Sequence, residues 1–285
     1  MSGTHVIIGI HGLAPKPTAE VLEGYWRSAI VEGLERNEHI QGVAPSFRMV
    51  YWGDWDGKPP IPEAENPEPY LPAPGDGPLL RYEASLLDDI RDLGGDLFDD
   101  ALEKAKEWFG FNRVADDVLE AKLRDLHTYY HNPELRDELR GRLRQALLEN
   151  AGKRILLIAH SMGSIVAYDV LRALGEQDVG ARVAHFVTIG APLGLPHVLN
   201  RIREEGRMIR TPSAVGRWTN QADKRDPVAL DSHIAGDFRP NASGVQVADD
   251  LVSNGYLGRT GKANHHKSYG YLRTPEMSAL IRAFL

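Results

Sequence analysis

One segment of the chain, residues 153–168, constrains the fold more than any other. An apolar run reaches a serine between two small residues and continues directly as an amphipathic stretch, in the order KRILLIAHSMGSIVAY. This order predicts a buried strand, a sharp turn with Ser161 at its apex, and a helix. Such a turn pushes the serine hydroxyl out of the sheet, next to the N–H groups that open the helix. Ala159 and Gly163 must be small, because larger side chains would collide where strand and helix pack.

Composition narrows the class of protein and the kinds of partner. A chain of 285 residues with 42% hydrophobic content can bury a full core. The 33 Lys and Arg residues against 40 Asp and Glu residues give a formal charge of −7. This balance argues against nucleic acid, or an anionic membrane surface, as a partner recognised by charge. The lack of cysteine excludes disulfides, thiol catalysis and thiolate metal sites.

The sequence carries no targeting or membrane-spanning signal that we can identify. Residues 1–5 lead at once into an apolar run, without a basic region, a long apolar core or a small-residue cleavage site. No run approaches the roughly 18 apolar residues expected of a membrane span. We therefore expect a cytoplasmic protein without an integral membrane segment.

Strand and helix patterns alternate along most of the chain. This alternation predicts an α/β fold, in which a mainly parallel sheet is flanked by helices on both faces. Asn132-Pro133 and Thr274-Pro275 each predict the start of a helix, with a polar cap followed by proline at the first helical position. Besides the strand that leads to Ser161, strands are predicted at 6–10, 47–52, 183–189, 215–220 and 245–247, and further helices at 18–36 and 195–205.

Residues 53–131 interrupt this alternation. Proline and glycine dominate from 53 to 77, which disfavours regular structure, and two or three helices follow up to about residue 130. A connection between parallel strands needs only about a dozen residues. We therefore predict a core of residues 1–52 and 132–285, and a proline-rich and helical cap of residues 53–131 that covers Ser161 at the carboxyl edge of the sheet.

A nucleophilic serine needs two partners. Its hydroxyl is a poor nucleophile at neutral pH, so a base must take the proton and a third group must orient that base. Asp223 and Asp226 both follow the predicted strand at 215–220, and His265 and His266 both follow the last predicted strand. Position alone leaves both aspartates and both histidines open.

The segment around Ser161 resembles the nucleophile elbow of the α/β-hydrolase superfamily, with alanine at 159 in place of the usual first glycine. Residues 188–194, TIGAPLG, resemble the segment after the following strand in class 3 lipase-like and GPI-deacylase-like serine hydrolases. The resemblance covers about residues 4–52 and 132–285. It implies an α/β-hydrolase fold and the chain order serine, acid, histidine.

The resemblance also implies a role for individual residues. Asp226 stands in an Asp-Pro-Val segment that resembles the acid-bearing segment of lipase-like members, and His266 begins a His-x-x-Tyr segment like the one around their catalytic histidine. We therefore favour Asp226 over Asp223 and His266 over His265.

The loop after the first strand, His11-Gly12-Leu13, resembles the His-Gly oxyanion motif of lipases. This resemblance implies an oxyanion hole made by the backbone N–H groups of Leu13 and Met162. We expect His11 to brace this loop by hydrogen bonding. His160, inside the turn, is expected to be a packed residue rather than a catalyst.

Together these residues predict a serine esterase of the lipase type that acts through an acyl-enzyme and needs neither metal nor cofactor. The expected substrate is a small-molecule ester with an apolar acyl group, and Trp52, Trp108 and Phe109 are candidates for the acyl pocket. Two alternatives stay open: an acyltransferase that uses the same triad, and a catalytically silent hydrolase-fold binding protein.

Overall fold

The computed structural model describes residues 4–12, 16–55, 57, 59–83, 128–177, 180–205, 208–229 and 232–285. The chain divides into two compact units, one made of Met1–Arg81 and Asn132–Leu285 and the other of Tyr82–His131. Most of the second unit, and with it the predicted helical part of the cap, lies outside the described residues. The cap over Ser161 therefore stays a prediction, and the elements below belong to the first unit.

The first unit is built on a six-stranded parallel sheet, which confirms the predicted fold class. Its strands lie in the order β2-β1-β3-β4-β5-β6, and every neighbouring pair is parallel. The arrangement is consistent with an α/β-hydrolase fold. The strands are β1 (His5–Ile10), β2 (Phe47–Val50), β3 (Arg154–His160), β4 (His185–Ile189), β5 (Trp218–Ala222) and β6 (Val247–Leu251).

Helices lie between or after these strands, and three of the described helices begin at side-chain caps. The side-chain oxygens of Thr18, Asn132 and Thr274 each accept the backbone N–H three residues further on, at 3.4, 3.1 and 3.3 Å. The helix starts predicted at Asn132-Pro133 and Thr274-Pro275 are therefore confirmed. The helices are α1 (Ala19–Glu38), α2 (Pro133–Glu149), α3 (Met162–Gln177), α4 (Pro196–Glu204), α5 (Ser268–Leu272) and α6 (Pro275–Phe284).

The helices cover the sheet with apolar side chains. One core joins α1 and α6 to alternate residues of β1, β3 and β4, with Trp26 and Ile281 among its fully buried members. Helices α2 and α3 contact each other and strands β1 to β3. The buried face of α2 is formed by Leu135, Leu139, Leu143, Ala146 and Leu147.

Two predicted strands are displaced along the chain, because polar residues take part in them. β5 runs two residues beyond the predicted 215–220, and β6 begins where the predicted 245–247 ends. The Asn220 Nδ2 group donates to Asp249 Oδ1 at 3.0 Å, and Gln221 Nε2 donates to Asp250 Oδ2 at 3.1 Å. These cross-strand bonds let polar residues continue strands that apolar periodicity alone does not detect.

The strand order places the turn at Ser161 at a topological switch point. From β1 the chain passes to β2 on one side, and β3 then pairs on the other side of β1. Ligands of open α/β sheets bind at the carboxyl ends of strands where the order reverses in this way. Gly12 follows β1 at this edge, and Ser161 follows β3.

The proline-rich strap, residues 59–79, packs along α1. Within it the structure has one 3₁₀ turn, Glu63–Glu65. The Arg36 guanidinium donates to the carbonyls of Ala73, Pro74 and Gly77 at 2.8–3.2 Å. Apart from that turn, residues 59–79 form neither helix nor strand, in agreement with the expectation for this part of the segment.

Over the ranges described, no helix combines the length and apolarity that a bilayer crossing requires.

Candidate active site

Ser161 occupies the predicted turn between β3 and α3. Its φ of 55° lies in the left-handed region, which is a strained conformation for a residue with a side chain. Its N–H donates to Ile189 O at 3.1 Å, and the residue is 1% exposed. The strand, turn and helix predicted for this segment are therefore confirmed. Neighbouring contacts hold Ser161 in a conformation that it would not adopt freely.

Small residues surround the serine because other backbone lies close. A Cβ on Gly163 would stand 2.7 Å from His11 O, which confirms the collision expected there. A Cβ on Gly12 would stand 2.6 Å from Ser161 Cβ. The loop after β1 therefore passes directly beside the serine.

The structure brings Ser161, His266 and Asp226 into one line of hydrogen bonds. His266 Nε2 lies 3.0 Å from Ser161 Oγ, and His266 Nδ1 lies 2.9 Å from Asp226 Oδ2 and 3.0 Å from Asp226 Oδ1. An ionised carboxylate can only accept, so Nδ1 carries a proton toward Asp226. Nε2 of the neutral ring is then free to accept the serine proton.

The Asp226 side chain is fully buried and has a complete set of donors. Besides His266, its carboxylate accepts from the N–H of Val228 at 2.8 Å and from the Tyr271 hydroxyl at 2.7 Å. Burial first, and then the Asp226 charge, raise the pKa of Tyr271 well above its usual value, so this hydroxyl stays a donor. Sequence reasoning missed Tyr271, because a buried tyrosine in a short helix gives no local signal.

The structure shows why the TIGAPLG segment has a glycine at position 190. Its φ is 53°, and a Cβ there would lie 2.7 Å from Asp226 Oδ2 and 3.2 Å from His266 Nδ1. Glycine suits this position for two reasons. It adopts the left-handed backbone conformation without strain, and it has no side chain to collide with Asp226 and His266.

The backbone of His266 is held on both sides. Its carbonyl lies 2.7 Å from His160 Nε2, and its N–H donates to Asn264 Oδ1 at 2.9 Å. The rings of His160 and His266 lie 4.7 Å apart. His160 is thus a packed, hydrogen-bonded residue, as expected, and its contact with the His266 backbone adds a supporting role that sequence reasoning did not foresee.

The alternative pair, Asp223 and His265, lies nearby, but its side chains form hydrogen bonds with other groups. Asp223 accepts from the Arg225 guanidinium at 2.7 and 2.9 Å and from the N–H of Asn254 at 2.6 Å. His265 Nδ1 lies 2.8 Å from Asn254 O and 3.8 Å from Asp223 Oδ2. These contacts tie neighbouring loops together.

Asn254 is a second residue that sequence reasoning missed. Its side-chain Nδ2 donates to His265 O at 2.8 Å and to Lys267 O at 2.9 Å, so it holds the carbonyls on either side of His266. A Cβ on Gly270 would stand 1.6 Å from Asn254 Oδ1, which shows how tightly this amide is enclosed.

The loop after β1 is braced as expected. His11 Nε2 accepts the Trp52 N–H at 3.0 Å, so its Nδ1 carries the proton and donates to Gly12 O at 2.7 Å. The Trp52 indole donates to His11 O at 3.0 Å and stacks on the His11 ring. Burial, and then the positive charge of Lys16, lower the pKa of His11 to about 3, so the ring is neutral. Trp52 is 1% exposed, and these contacts give it a supporting role.

Of the two predicted oxyanion donors, Met162 lies among the residues that the structure describes and Leu13 does not. Met162 is the first residue of α3, and first-turn N–H groups have no acceptor within their own helix. Leu13, Trp108 and Phe109 lie outside the described residues, so the second donor and the two aromatic pocket residues stay predictions.

Comparison with known proteins gives one local similarity. Residues 123–212 match the model of the lecithin:cholesterol acyltransferase family. The match spans β3, the turn at Ser161, α3 and β4, and it ends before Asp226 and His266. It covers less than a third of the chain. Neither the curated proteins nor the solved structures gave a match.

Proposed function

We propose that the chain is a serine hydrolase that cleaves carboxylic esters through an acyl-enzyme on Ser161. The proposal is carried by the line of hydrogen bonds from Ser161 Oγ through the His266 ring to the Asp226 carboxylate. The strained backbone of Ser161 supports it, because such strain persists where neighbouring structure enforces it and clusters at active sites. The local similarity to a family named for acyl transfer supports an acyl group as the transferred unit.

In the first half of the proposed reaction, Ser161 Oγ forms a bond to the ester carbonyl carbon while its proton passes to His266 Nε2. Asp226 holds the ring in the required tautomer and stabilises the imidazolium. The carbonyl oxygen becomes an oxyanion, which accepts from the N–H groups of Met162 and Leu13. The alcohol then leaves with the proton from His266. Water adds to the acyl-enzyme in the same way and releases the acid.

We propose an ester with an apolar acyl group as substrate. Trp108 and Phe109 are the proposed acyl contacts, whereas Trp52 is buried against His11 and supports the loop after β1 instead. Replacing Trp108 or Phe109 with alanine is expected to change the preferred acyl length more than the unfolding free energy. A panel of p-nitrophenyl esters of increasing acyl length measures this preference, and an unchanged profile would remove these residues from the pocket.

A fluorophosphonate probe tests the proposal. We expect it to label wild-type protein at Ser161, as located by mass spectrometry of the digested protein, and to leave Ser161→Ala unlabelled. The same substitution is expected to lower ester turnover by on the order of 10⁴ to 10⁶. Turnover of more than a few per cent in pure Ser161→Ala would contradict the assignment. Folded wild-type protein that resists the probe would favour the silent binding protein.

Acyl transfer to an alcohol is the second candidate, and the family match is the observation that favours it. It uses the same residues, but the oxygen of an acceptor alcohol attacks the acyl-enzyme in place of water. Product analysis with an added long-chain alcohol separates the two. A new ester as the main product indicates a transferase, and free acid at every alcohol concentration indicates a hydrolase.

A further inference from the structure

The proline-rich strap reaches the loop that carries His266. Toward this loop, Arg259 donates to the strap carbonyl Asn66 O at 3.0 Å, Tyr256 to Pro69 O at 2.6 Å, and Arg273 to Leu71 O at 2.7 Å. Because prolines restrict the backbone and these contacts fasten it, this part of the strap has a defined place on the first unit.

Glu68 lies between these anchors and contacts residues on both sides of His266. Its Oε1 accepts from Asn264 Nδ2 at 2.7 Å, and its Oε2 accepts from Lys267 Nζ at 3.1 Å. Burial acts to raise the pKa of Glu68, but the Lys267 charge and the hydrogen bonds from Asn264 and Lys267 outweigh it and lower the pKa. The carboxylate is therefore ionised at neutral pH and acts as an acceptor.

This acceptor decides which way the Asn264 amide points. A carboxylate cannot donate, so the Asn264 NH₂ group must face Glu68. The amide oxygen is then left to accept the N–H of His266, at 2.9 Å. The reversed amide would set its oxygen against the carboxylate and its NH₂ group against the His266 N–H. One carboxylate on the strap thus sets the hydrogen bond that holds the backbone of His266.

We propose that Glu68 is a positioning residue for His266 and acts through Asn264. The inference rests on the proposed function, in which His266 takes the proton of Ser161. The strap is then part of the active-site support and not only a connection toward the second unit. Displacement of a reacting group by about 1 Å can cost about a hundredfold in rate, so loss of this support should lower kcat.

The ion pair with Lys267 is a competing explanation for any effect of Glu68. The Glu68 and Lys267 side chains are 35% and 20% exposed, so the pair keeps partial contact with solvent, which screens the attraction between the two charges. Lys267→Met removes the ion pair while leaving Asn264 in place. It therefore separates an effect of the ion pair from an effect that acts through Asn264.

The test compares steady-state kinetics and unfolding for single and paired variants. Glu68→Ala and Asn264→Ala are each expected to lower kcat roughly tenfold to a hundredfold with little change in KM. Their combination should be no worse than Asn264→Ala alone, because both act through one contact. Lys267→Met should keep kcat within about threefold of wild type, and so should Glu65→Ala, the matched control on the exposed 3₁₀ turn of the strap.

A charge swap supplies a readout that a purely structural role would not move. Asn264→Asp alone places two carboxylates together and should lose kcat like Glu68→Ala. Adding Glu68→Gln should restore kcat to within about threefold of wild type, because the glutamine NH₂ group can donate to the new carboxylate, whose other oxygen accepts the His266 N–H. These variants also serve if Glu68→Ala does not fold.

An unchanged kcat in folded Glu68→Ala, additive losses in the double variant, or no rescue by the charge swap would each overturn the inference. So would a loss in Lys267→Met equal to that in Glu68→Ala. Failure of the proposed function has a different signature, because Ser161→Ala would then keep its turnover. An inactive Ser161→Ala beside a fully active Glu68→Ala removes the role of Glu68 alone.

Discussion

Two aspartate–histidine pairs lie side by side at the carboxyl edge of the sheet, with their acids three residues apart and their histidines adjacent. In one pair, His266 Nδ1 lies 2.9 Å from Asp226, and the other ring nitrogen lies 3.0 Å from Ser161 Oγ. In the other pair, His265 Nδ1 lies 3.8 Å from Asp223 and 2.8 Å from Asn254 O. Residues of the same type in almost the same place thus make different sets of bonds.

The difference between the pairs comes from what else the acids accept. Both oxygens of Asp223 accept from other groups, the Arg225 side chain and the Asn254 N–H among them. Asp226 accepts from backbone N–H groups and Tyr271 and also faces the His266 ring. An acid is available to orient a histidine when its remaining contacts leave a lone pair aimed at the ring. We therefore expect the first pair to control rate and the second to control stability.

The largest effect that separates the pairs is expected from His266→Ala. Without a base, the serine keeps its proton, so ester turnover should fall by on the order of 10⁴ to 10⁶, as for Ser161→Ala. Initial rates with p-nitrophenyl esters measure the loss, and circular dichroism checks the fold. A His266→Ala protein with near wild-type rates would move the base to another residue.

Asp226→Asn should come next, with a loss on the order of 10³ to 10⁴ in kcat. Asparagine keeps the shape of the side chain, but it cannot stabilise the imidazolium and can favour the wrong ring tautomer. The loss should stay smaller than that of His266→Ala, because the acid orients the base and does not take the proton. The same kinetic assay measures it, and a larger loss than for His266→Ala would contradict this division of roles.

Tyr271→Phe should have a moderate effect. It removes the 2.7 Å hydrogen bond to Asp226 and the acceptor for the Asp223 N–H at 3.1 Å. We expect kcat to fall by up to about tenfold and the unfolding free energy to fall by about 1–3 kcal/mol, since a buried N–H is left unsatisfied. Urea denaturation monitored by tryptophan fluorescence gives the second value. An unchanged unfolding free energy would show that water or a rearrangement replaces the hydroxyl.

The smallest effect on rate is expected from the second pair. His265→Ala and Asp223→Asn should each change kcat by less than about tenfold, because neither side chain belongs to the line from Ser161 to Asp226. Asp223→Asn should lower the unfolding free energy by about 1–3 kcal/mol, because it removes the buried partner of Arg225. If either substitution abolished turnover in folded protein, the triad would include that neighbour.

The sequence predicts the positions of the helices and strands better than the side-chain hydrogen bonds between them. The apolar periodicities of β1, α1 and α2 mark buried faces, so their positions follow from the residue order alone. β5 and β6 depart from the prediction because side-chain hydrogen bonds between strands support their polar residues. Periodicity reports burial against a core and carries no information on such pairs.

The choice between the two aspartate–histidine pairs shows that prediction from local sequence has the same limit at the candidate active site. Local sequence places two acids and two histidines in suitable loops, and the preference for Asp226 and His266 came from resemblance to other hydrolases. The distinguishing contacts of Asn254 and Tyr271 depend on segments brought together by folding. One local signal was present, since Arg225 stands between the two acids and can neutralise one of them.

The most direct test of the account is the rate of fluorophosphonate labelling at Ser161 in His266→Ala and His265→Ala, measured beside their unfolding midpoints in urea. The account predicts that His266→Ala labels at least about a hundredfold more slowly than wild type while folded, and that His265→Ala labels within about tenfold of wild type. Equal labelling rates in the two variants, or the reverse order, would contradict the assignment of His266 as the base for Ser161.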